Sequence, residues 1–241
     1  MTEDNATQPA MQRVGEPVDA SPAQRPQRTP LRGTYVDVVP LEAATHGDDL
    51  YGAATGPGTD TSWTYLSFGP WSDRSSFDSW LRAFQASDDR LAYALVGKST
   101  GKALGLCSYA RIDLANRVIE IGSIWYSPAL QRTRAATEAM YLLARHVFED
   151  LGYRRYEWKC NSFNEPSRRT AERLGFTYEG LFRQHMISRG RNRDTAWFSM
   201  LDGEWPARKR AFERWLAADN FDADGRQRRS LSALRAEDAA R

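Results

Sequence analysis

The sequence contains little cysteine and little histidine: two Cys and three His among 241 residues. Cys107 and Cys160 are too few for a disulfide scaffold. His46, His146 and His185 lie far apart, so no Cys/His group has the spacing of metal ligands, and no metal is expected. Long apolar runs are also missing. Nothing approaches the roughly 20 residues that cross a bilayer, so no membrane partner is expected. The first residues, MTEDNATQPA, are polar and lack the basic start and apolar stretch of a secretory signal. The cytoplasm is therefore the expected compartment. Nor is there an excess of one charge. Lys and Arg number 33 against 31 Asp and Glu, a net charge of +2. That balance gives no argument for nucleic acid or an anionic surface as the main partner.

What is present is the composition of a globular chain, 41% hydrophobic and 27% charged. Residues 1–30 are rich in Pro, Gln, Ala and Thr without hydrophobic period, and are expected to be a disordered tail. Residues 219–241 combine DADGRQRRS with a short Leu/Ala/Arg run and are expected to be a flexible charged tail. One domain is expected between them, over 31–218.

Within that domain the periodicity predicts a strand at Gly33–Val39, a helix around Asp48–Ala54 broken by Gly56-Pro57-Gly58, and a helix at Ser75–Ala86 capped by Ser75 or Ser76. Three strands follow, Leu91–Val96, Ala103–Arg111 and Arg117–Tyr126. Their connections are short, so the three should be antiparallel. Arg132–Leu151 places Ala136, Met140, Leu143, Val147 and Leu151 on one helical stripe, stopped by Gly152. Tyr153–Cys160 reads as a strand, and Asn164–Leu174 as a helix capped by Asn164 and ended by Gly175. Strands at about Thr177–Ser188 and Thr195–Leu201, joined by a hairpin tip at 189–194, and a closing helix at Trp205–Leu216 complete the order. The strand–helix–strand step over 117–160 implies a parallel pairing with a right-handed crossover. The fold class is α/β (α+β), with a mixed, mostly antiparallel, seven-stranded sheet flanked by helices.

A strand running into a helix N-terminus offers unpaired amides and a favourable dipole to an anion. Here that segment is Gln131-Arg132-Thr133-Arg134-Ala135-Ala136. The small alanines admit a ligand close to the backbone, the arginines add charge and Thr133 adds a hydroxyl. A pyrophosphate would suit it; a solvated helix start is the plain alternative.

These residues resemble the pyrophosphate loop of the GNAT superfamily of acetyl-CoA-dependent N-acetyltransferases, Gln/Arg-x-x-Gly-x-Gly/Ala, with Arg134 in place of the middle Gly. The resemblance extends over 31–205 and is nearest the branch of ribosomal-protein N-terminal acetyltransferases. Its further marks are Glu120-Ile121-Gly122 before Trp125 and Pro128, Thr137-Glu138-Ala139, Asn164-Glu165-Pro166-Ser167, Leu174-Gly175-Phe176 with Glu179-Gly180 and Arg183, and Asp194 before Trp197-Phe198-Ser199-Met200. It implies a sheet splayed between its fourth and fifth strands, with the pantetheine arm of acetyl-CoA in the gap. Ile124, Trp125 and Tyr126 on one edge, the Gln131–Ala136 loop, and Asn164 and Ser167 on the facing helix are the expected contacts. The resemblance also implies an oxyanion site at backbone N–H groups near Ile124 or Trp125. Relatives often dimerise, so a homodimer is a possible assembly.

Acyl transfer to an amine needs a neutral amine, a stabilised oxyanion and a proton for the leaving thiolate. Glu120 lies in an otherwise apolar strand, where burial would raise its pKa, and is the candidate base; pairing with Arg111 or Arg117 is the structural alternative. Ser167, in the first turn of a helix, is the candidate proton donor, with Tyr126 second. Trp63, Tyr65, Trp71, Arg183 and His185 could line the acceptor side. Nothing near Cys160 predicts a low pKa, so direct transfer in a ternary complex is expected, not an acetyl-cysteine route. The acceptor is an amine, on a protein N-terminus or a small molecule. Two rival functions fit parts of the sequence. One is a non-catalytic acyl-CoA-binding module. The other is an RNA- or ribosome-associated protein using the arginines at 189–193 and 226–229.

Overall fold

The structure, a computed structural model, describes residues 14–239. Its sheet has eight strands in the order β1-β2-β3-β4-β5-β6-β8-β7. These are β1 (Leu31–Arg32), β2 (Val36–Pro40), β3 (Arg90–Gly97), β4 (Ala103–Asp113), β5 (Val118–Tyr126), β6 (Arg155–Asn161), β7 (Thr177–Ser188) and β8 (Arg191–Leu201). The expected seven become eight because β1, two residues long, adds to the edge of β2 through Leu31↔Val38 and Arg32↔Asp37. So short a strand has no periodicity to read. Every neighbouring pair is antiparallel except β5–β6, which is parallel as the crossover requires.

The helices are α1 (Ala43–Thr55), α2 (Arg74–Gln85), α3 (Arg134–Arg145), α4 (Glu165–Leu174), α5 (Trp205–Leu216) and α6 (Leu231–Ala239). One face of the sheet packs on α3, α4, α5 and α6, where Ile119, Ile121, Ala139, Leu143, Phe198 and Phe212 are fully or almost fully buried. The other face packs on α1 and α2 through Leu50, Phe77, Leu81, Ala92, Leu106 and Trp125. All five residues of the expected α3 stripe are buried. The helix itself starts at Arg134, two residues later than the sequence suggests, and its last turn widens into a π-helical turn at His146–Asp150. Gly152 then leaves the helix at φ 70°, a conformation that costs little only for glycine.

The cap of α2 is Asp73, not a serine. Its carboxylate accepts from the Ser76 amide at 2.8 Å, and the Ser76 hydroxyl lies 3.4 Å from the Asp73 amide, closing a reciprocal box. Asp73→Ala should cost about 1 kcal/mol, measurable by urea denaturation.

Both expected tails require correction over the described residues. Residues 1–13 lie outside them. Residues 14–30 pass the β4–β5 turn and the end of the α3 helical run, where the Ala23 and Gln24 amides donate to Leu114 O and Leu151 O, each at 3.0 Å. Ala23 is buried there. This segment docks through isolated contacts, which leave no hydrophobic period. At the other end, α6 buries Leu231 and Leu234 against α5. The Asn220 amide group holds the approach by donating to Trp215 O and Arg229 O and accepting from the Arg229 amide. Two leucines in one short helix were too weak a signal against the charged residues around them.

Candidate active site

The parallel pairing of β5 and β6 runs only from Val118↔Arg155 to Ile121↔Trp158. Beyond Ile121 the two strands part. Residues 122–126 of β5 continue along β4, while Lys159, Cys160 and Asn161 of β6 continue along β8. The cause lies partly in a bulge. Ser108 pairs with Gly122 and Leu106 with Trp125, so Ser123 and Ile124 together oppose Cys107. Ser123 takes φ 52°. An inserted residue bends its strand and leaves ladder groups unpaired, which turns backbone at Ile124 toward the gap. Arg90 Nη1, 3.2 Å from Ser123 Oγ, fixes the outer side of the bulge.

The mouth of α3 opens beside this fork. The Leu130 and Gln131 amides fold back onto Ser127 O, and Arg132 takes φ 61°. Thr133 caps the helix, its Oγ1 accepting from the Ala136 amide at 3.1 Å and donating to Leu130 O at 2.7 Å. The amides of Arg134 and Ala135 precede any intrahelical acceptor and point out of the mouth. Ala135 and Ala136, with only methyl side chains, leave the backbone there open to close approach. Gln131 Nε2 donates to Tyr126 O, tying loop to strand. Arg132 is exposed at the mouth.

The side chain of Arg134 goes elsewhere. Its Nη1 donates to Tyr35 OH at 2.9 Å, and its guanidinium lies 3.4 Å from the Phe221 ring centroid. The residue that replaces the family's glycine therefore braces the C-terminal segment and leaves only its backbone at the mouth. On the facing side, Asn164 Oδ1 accepts from the Ser167 amide at 3.2 Å, as an N-cap should. Ser167 Oγ accepts from Trp158 Nε1 at 3.0 Å, which leaves the hydroxyl proton free to donate. Cys160 is buried and neighbours Ser167; burial pushes its thiol pKa up.

Trp125 Nε1, Tyr126 OH and Ser127 Oγ, on consecutive residues between the fork and the helix mouth, are buried without a hydrogen-bond partner among the described residues. No group of three or more His, Cys, Asp or Glu among the described residues could hold a metal.

Glu120 is on the α1/α2 side of the sheet, at the last turnings before the fork. Of the two arginines considered from sequence alone, Arg111 stays within ion-pair range and Arg117 does not, while the close partner is Lys159. Arg117 turns to Gly152 O and Asp19. Arg111 Nε lies 3.8 Å away, while Lys159 Nζ makes the close ion pair with Glu120 Oε2. Lys159 Nζ also sits 4.2 Å from the Trp197 ring centroid and 3.9 Å from Glu157 Oε2. The Glu120 and Lys159 side chains are 13% and 6% exposed. Burial raises the Glu120 carboxyl above its usual range and Lys159 pulls it back; burial likewise lowers the ammonium. Lys159 escaped the sequence reading, although it lies on the same strand face as Glu157, whose parallel partner is Glu120.

The acceptor side is walled by two distant parts of the chain. The β7–β8 hairpin turns through Arg189 and Gly190, both at positive φ, and not through the whole of 189–194 as the sequence suggests. Arg189 Nη2 donates to Phe68 O at 3.0 Å and also to Gly69 O, strapping the hairpin to the loop before α2. A cavity of about 640 Å³ lies beneath the strap, lined by Tyr65, Asn161, Phe163, Arg191 and neighbours. Trp63 and Trp71 belong instead to the aromatic core under α2, with Trp63 stacked on Trp125. Arg183 lines a separate surface cavity. His185 Nδ1 is 3.0 Å from Thr195 Oγ1. Burial lowers the His185 pKa, helped by Lys159, Arg193 and Arg111, so these cations converge on it.

This geometry agrees with what known proteins show. The profile of the acetyltransferase (GNAT) domain matches residues 40–177, more than half of the chain. A crystal structure of a GCN5-related N-acetyltransferase from Brucella melitensis is 49% identical and superimposes with a TM-score of 0.89, covering 90% of this chain and 99% of that one. A probable GNAT-family acetyltransferase from Chromobacterium violaceum ATCC 12472 is 40% identical with a TM-score of 0.75, covering 83% of this chain and 100% of that one. In Bacillus subtilis (strain 168), the "Putative ribosomal N-acetyltransferase YdaF" is 32% identical over 109 residues, 45% of this chain. The match spans 59% of that relative's length. An eight-stranded sheet that forks beside a helix mouth, matched by this profile and these structures, places the chain in the GNAT acetyltransferase family.

Proposed function

We propose that the protein transfers an acetyl group from acetyl-CoA to a primary amine, directly within a ternary complex. The observation that carries this reading is the fork itself. The strands part beside a helix mouth with outward amides, and a buried carboxylate stands on the face that the acceptor would approach. The amides of Arg134 and Ala135, with Arg132, would hold the pyrophosphate. The β5 edge at Ile124–Tyr126 and the α4 start at Asn164 would flank the pantetheine arm. Acetyl-CoA supplies the activated acyl group. Glu120 takes a proton from the ammonium, directly or through water, and the bulge amides near Ile124 meet developing negative charge on oxygen. Ser167 donates its hydroxyl proton toward the departing sulfur; the α4 dipole adds to that stabilisation. Tyr126 is the weaker candidate, since burial holds its phenol firmly protonated and its hydroxyl lies deep in the core. The ribosomal name of the Bacillus subtilis relative supports a protein N-terminus among the possible amines.

The test is thiol release from acetyl-CoA across a panel of peptide and small-molecule amines. Tight CoA binding with no thiol released by any amine would instead establish a non-catalytic acyl-CoA-binding module. The site also separates two neighbouring arginines. Arg132→Ala should weaken CoA binding about tenfold, the loss of one charge-assisted phosphate contact. Arg134→Ala should weaken it less and should lower Tm by about 2–4 °C, through loss of roughly 1 kcal/mol of cation–π and hydrogen-bond energy. Calorimetry and a melting curve on both variants check this. Equal losses of affinity would mean that Arg134 leaves Phe221 to bind phosphate.

A further inference from the structure

The β8 strand carries a row of cations from the acceptor cavity to the proposed reaction centre. Arg191, Arg193, Thr195 and Trp197 alternate along it, so they project from one face. Trp197 ends the row against Lys159 and Glu120. Arg191 begins it, exposed in the cavity wall with Tyr65 and Phe163. Arg193 stands between, with its Nε buried and without a partner among the described residues. Among the described residues no Asp or Glu lines that cavity. Asp194, next in sequence, projects from the opposite face and is taken up by the Gln184 amide at 2.7 Å and Asn192 Nδ2 at 2.9 Å.

A buried N–H without an acceptor is costly, and carboxylates are the strongest partners of a guanidinium. The spacing sets the length of the occupant. Along a strand, Arg193 is about 13 Å from Trp197 and Arg191 about 20 Å, at ~3.3 Å per residue. An extended peptide rises at most ~3.6 Å per residue, so about its fourth and fifth residues fall opposite Arg193 and about its sixth and seventh opposite Arg191. Nucleic acid would satisfy the charge but presents no alkylamine to acetylate.

Within the acetyltransferase reading, on which this rests, we infer that the acceptor is the N-terminus of a peptide chain with acidic residues at about its fourth to seventh positions, read by Arg193 and Arg191. The experiment uses peptides of about ten residues with Glu, Gln or Lys at positions four to seven, and a further peptide with Glu only at its last positions. Thiol release from acetyl-CoA gives kcat/KM for each. The early-Glu peptide should exceed the Gln peptide by about tenfold, with the Lys peptide lowest and the late-Glu peptide equal to Gln. Arg191→Glu, a change at an exposed position, and Arg193→Gln should each erode the preference, and together abolish it. Turnover that ignores peptide charge, a preference that survives both substitutions, or turnover confined to small amines would overturn the inference while leaving the transferase standing. Absence of thiol release with every amine would overturn the transferase reading, and this one with it.

Discussion

Glu120→Gln should lower kcat by about two to four orders of magnitude, the usual contribution of a positioned general base. The KM for acetyl-CoA should stay within about twofold, because the carboxylate stands on the acceptor face and not at the pyrophosphate mouth. The amide keeps the size and shape of the side chain, and Glu157 remains 3.9 Å from Lys159 Nζ. Circular dichroism of the variant should therefore match the parent. The pH profile tests the pairing with Lys159. A base works when deprotonated, so kcat/KM rises with pH through the pKa of Glu120. Burial raises that pKa, and the Lys159 and Arg111 charges oppose the rise, with Glu157 adding to it. His185 and Arg193 share the Lys159 and Arg111 neighbourhood. Lys159→Met removes the nearest cation, so the acid limb should move to higher pH. A purely structural lysine would reduce activity at all pH values without moving the limb. An unmoved limb, or Glu120→Gln with parental kcat, would take Glu120 out of the mechanism.

The largest effect on stability is expected at Glu138, far from the chemistry. Its buried carboxylate, on the second turn of α3, accepts from three successive amides: Thr34 at 2.8 Å, Tyr35 at 2.6 Å and Val36 at 3.0 Å. This is how the turn entering β2 is fixed to the central helix. Gly33 permits the close approach, since a Cβ there would lie 2.6 Å from Glu138 Oε2 and 2.5 Å from Val36 O. Glu138→Ala leaves those amides buried without an acceptor, at roughly 1–3 kcal/mol each and not additively. A total of about 3–5 kcal/mol is expected, or roughly 6–20 °C in Tm for a chain of this size. Glu138→Gln retains one acceptor oxygen and should fall between. The loss should reach the helix mouth as well, because Tyr35 also accepts from Arg134. A melting temperature within 2 °C of the parent, about 1 kcal/mol or less, would show that water reaches these amides.

The sequence made the order of strands and helices readable because each long element carries its own period. The α3 stripe, the cap at Asn164 and the stop at Gly175 are local signals, and each stands in the structure as read. The fork was expected from family resemblance, and its cause, the Ser123 bulge, has no local signature. What escaped is of a different kind. Lys159 meets Glu120 through the register of a parallel pair separated by a whole helix. Arg189 meets Phe68 across 121 residues, and Arg134 meets Tyr35 across 99. Long cationic side chains choose partners by reach, and sequence spacing does not encode reach. The C-terminal helix gives only a weak signal for a simpler reason: Leu231 and Leu234 are its buried hydrophobic residues among those described.

The sheet is effectively two antiparallel meanders, β1 to β5 and β6-β8-β7, joined by four residue pairs of parallel register. Parallel ladders are slightly weaker per residue than antiparallel ones, and this one stops where the ligand would begin. On heating, the molecule would come apart along that seam as two blocks with their own ladders intact. A ligand lying across both blocks would act as a rivet there, so its protection would be greatest at the join and would fade toward the outer strands.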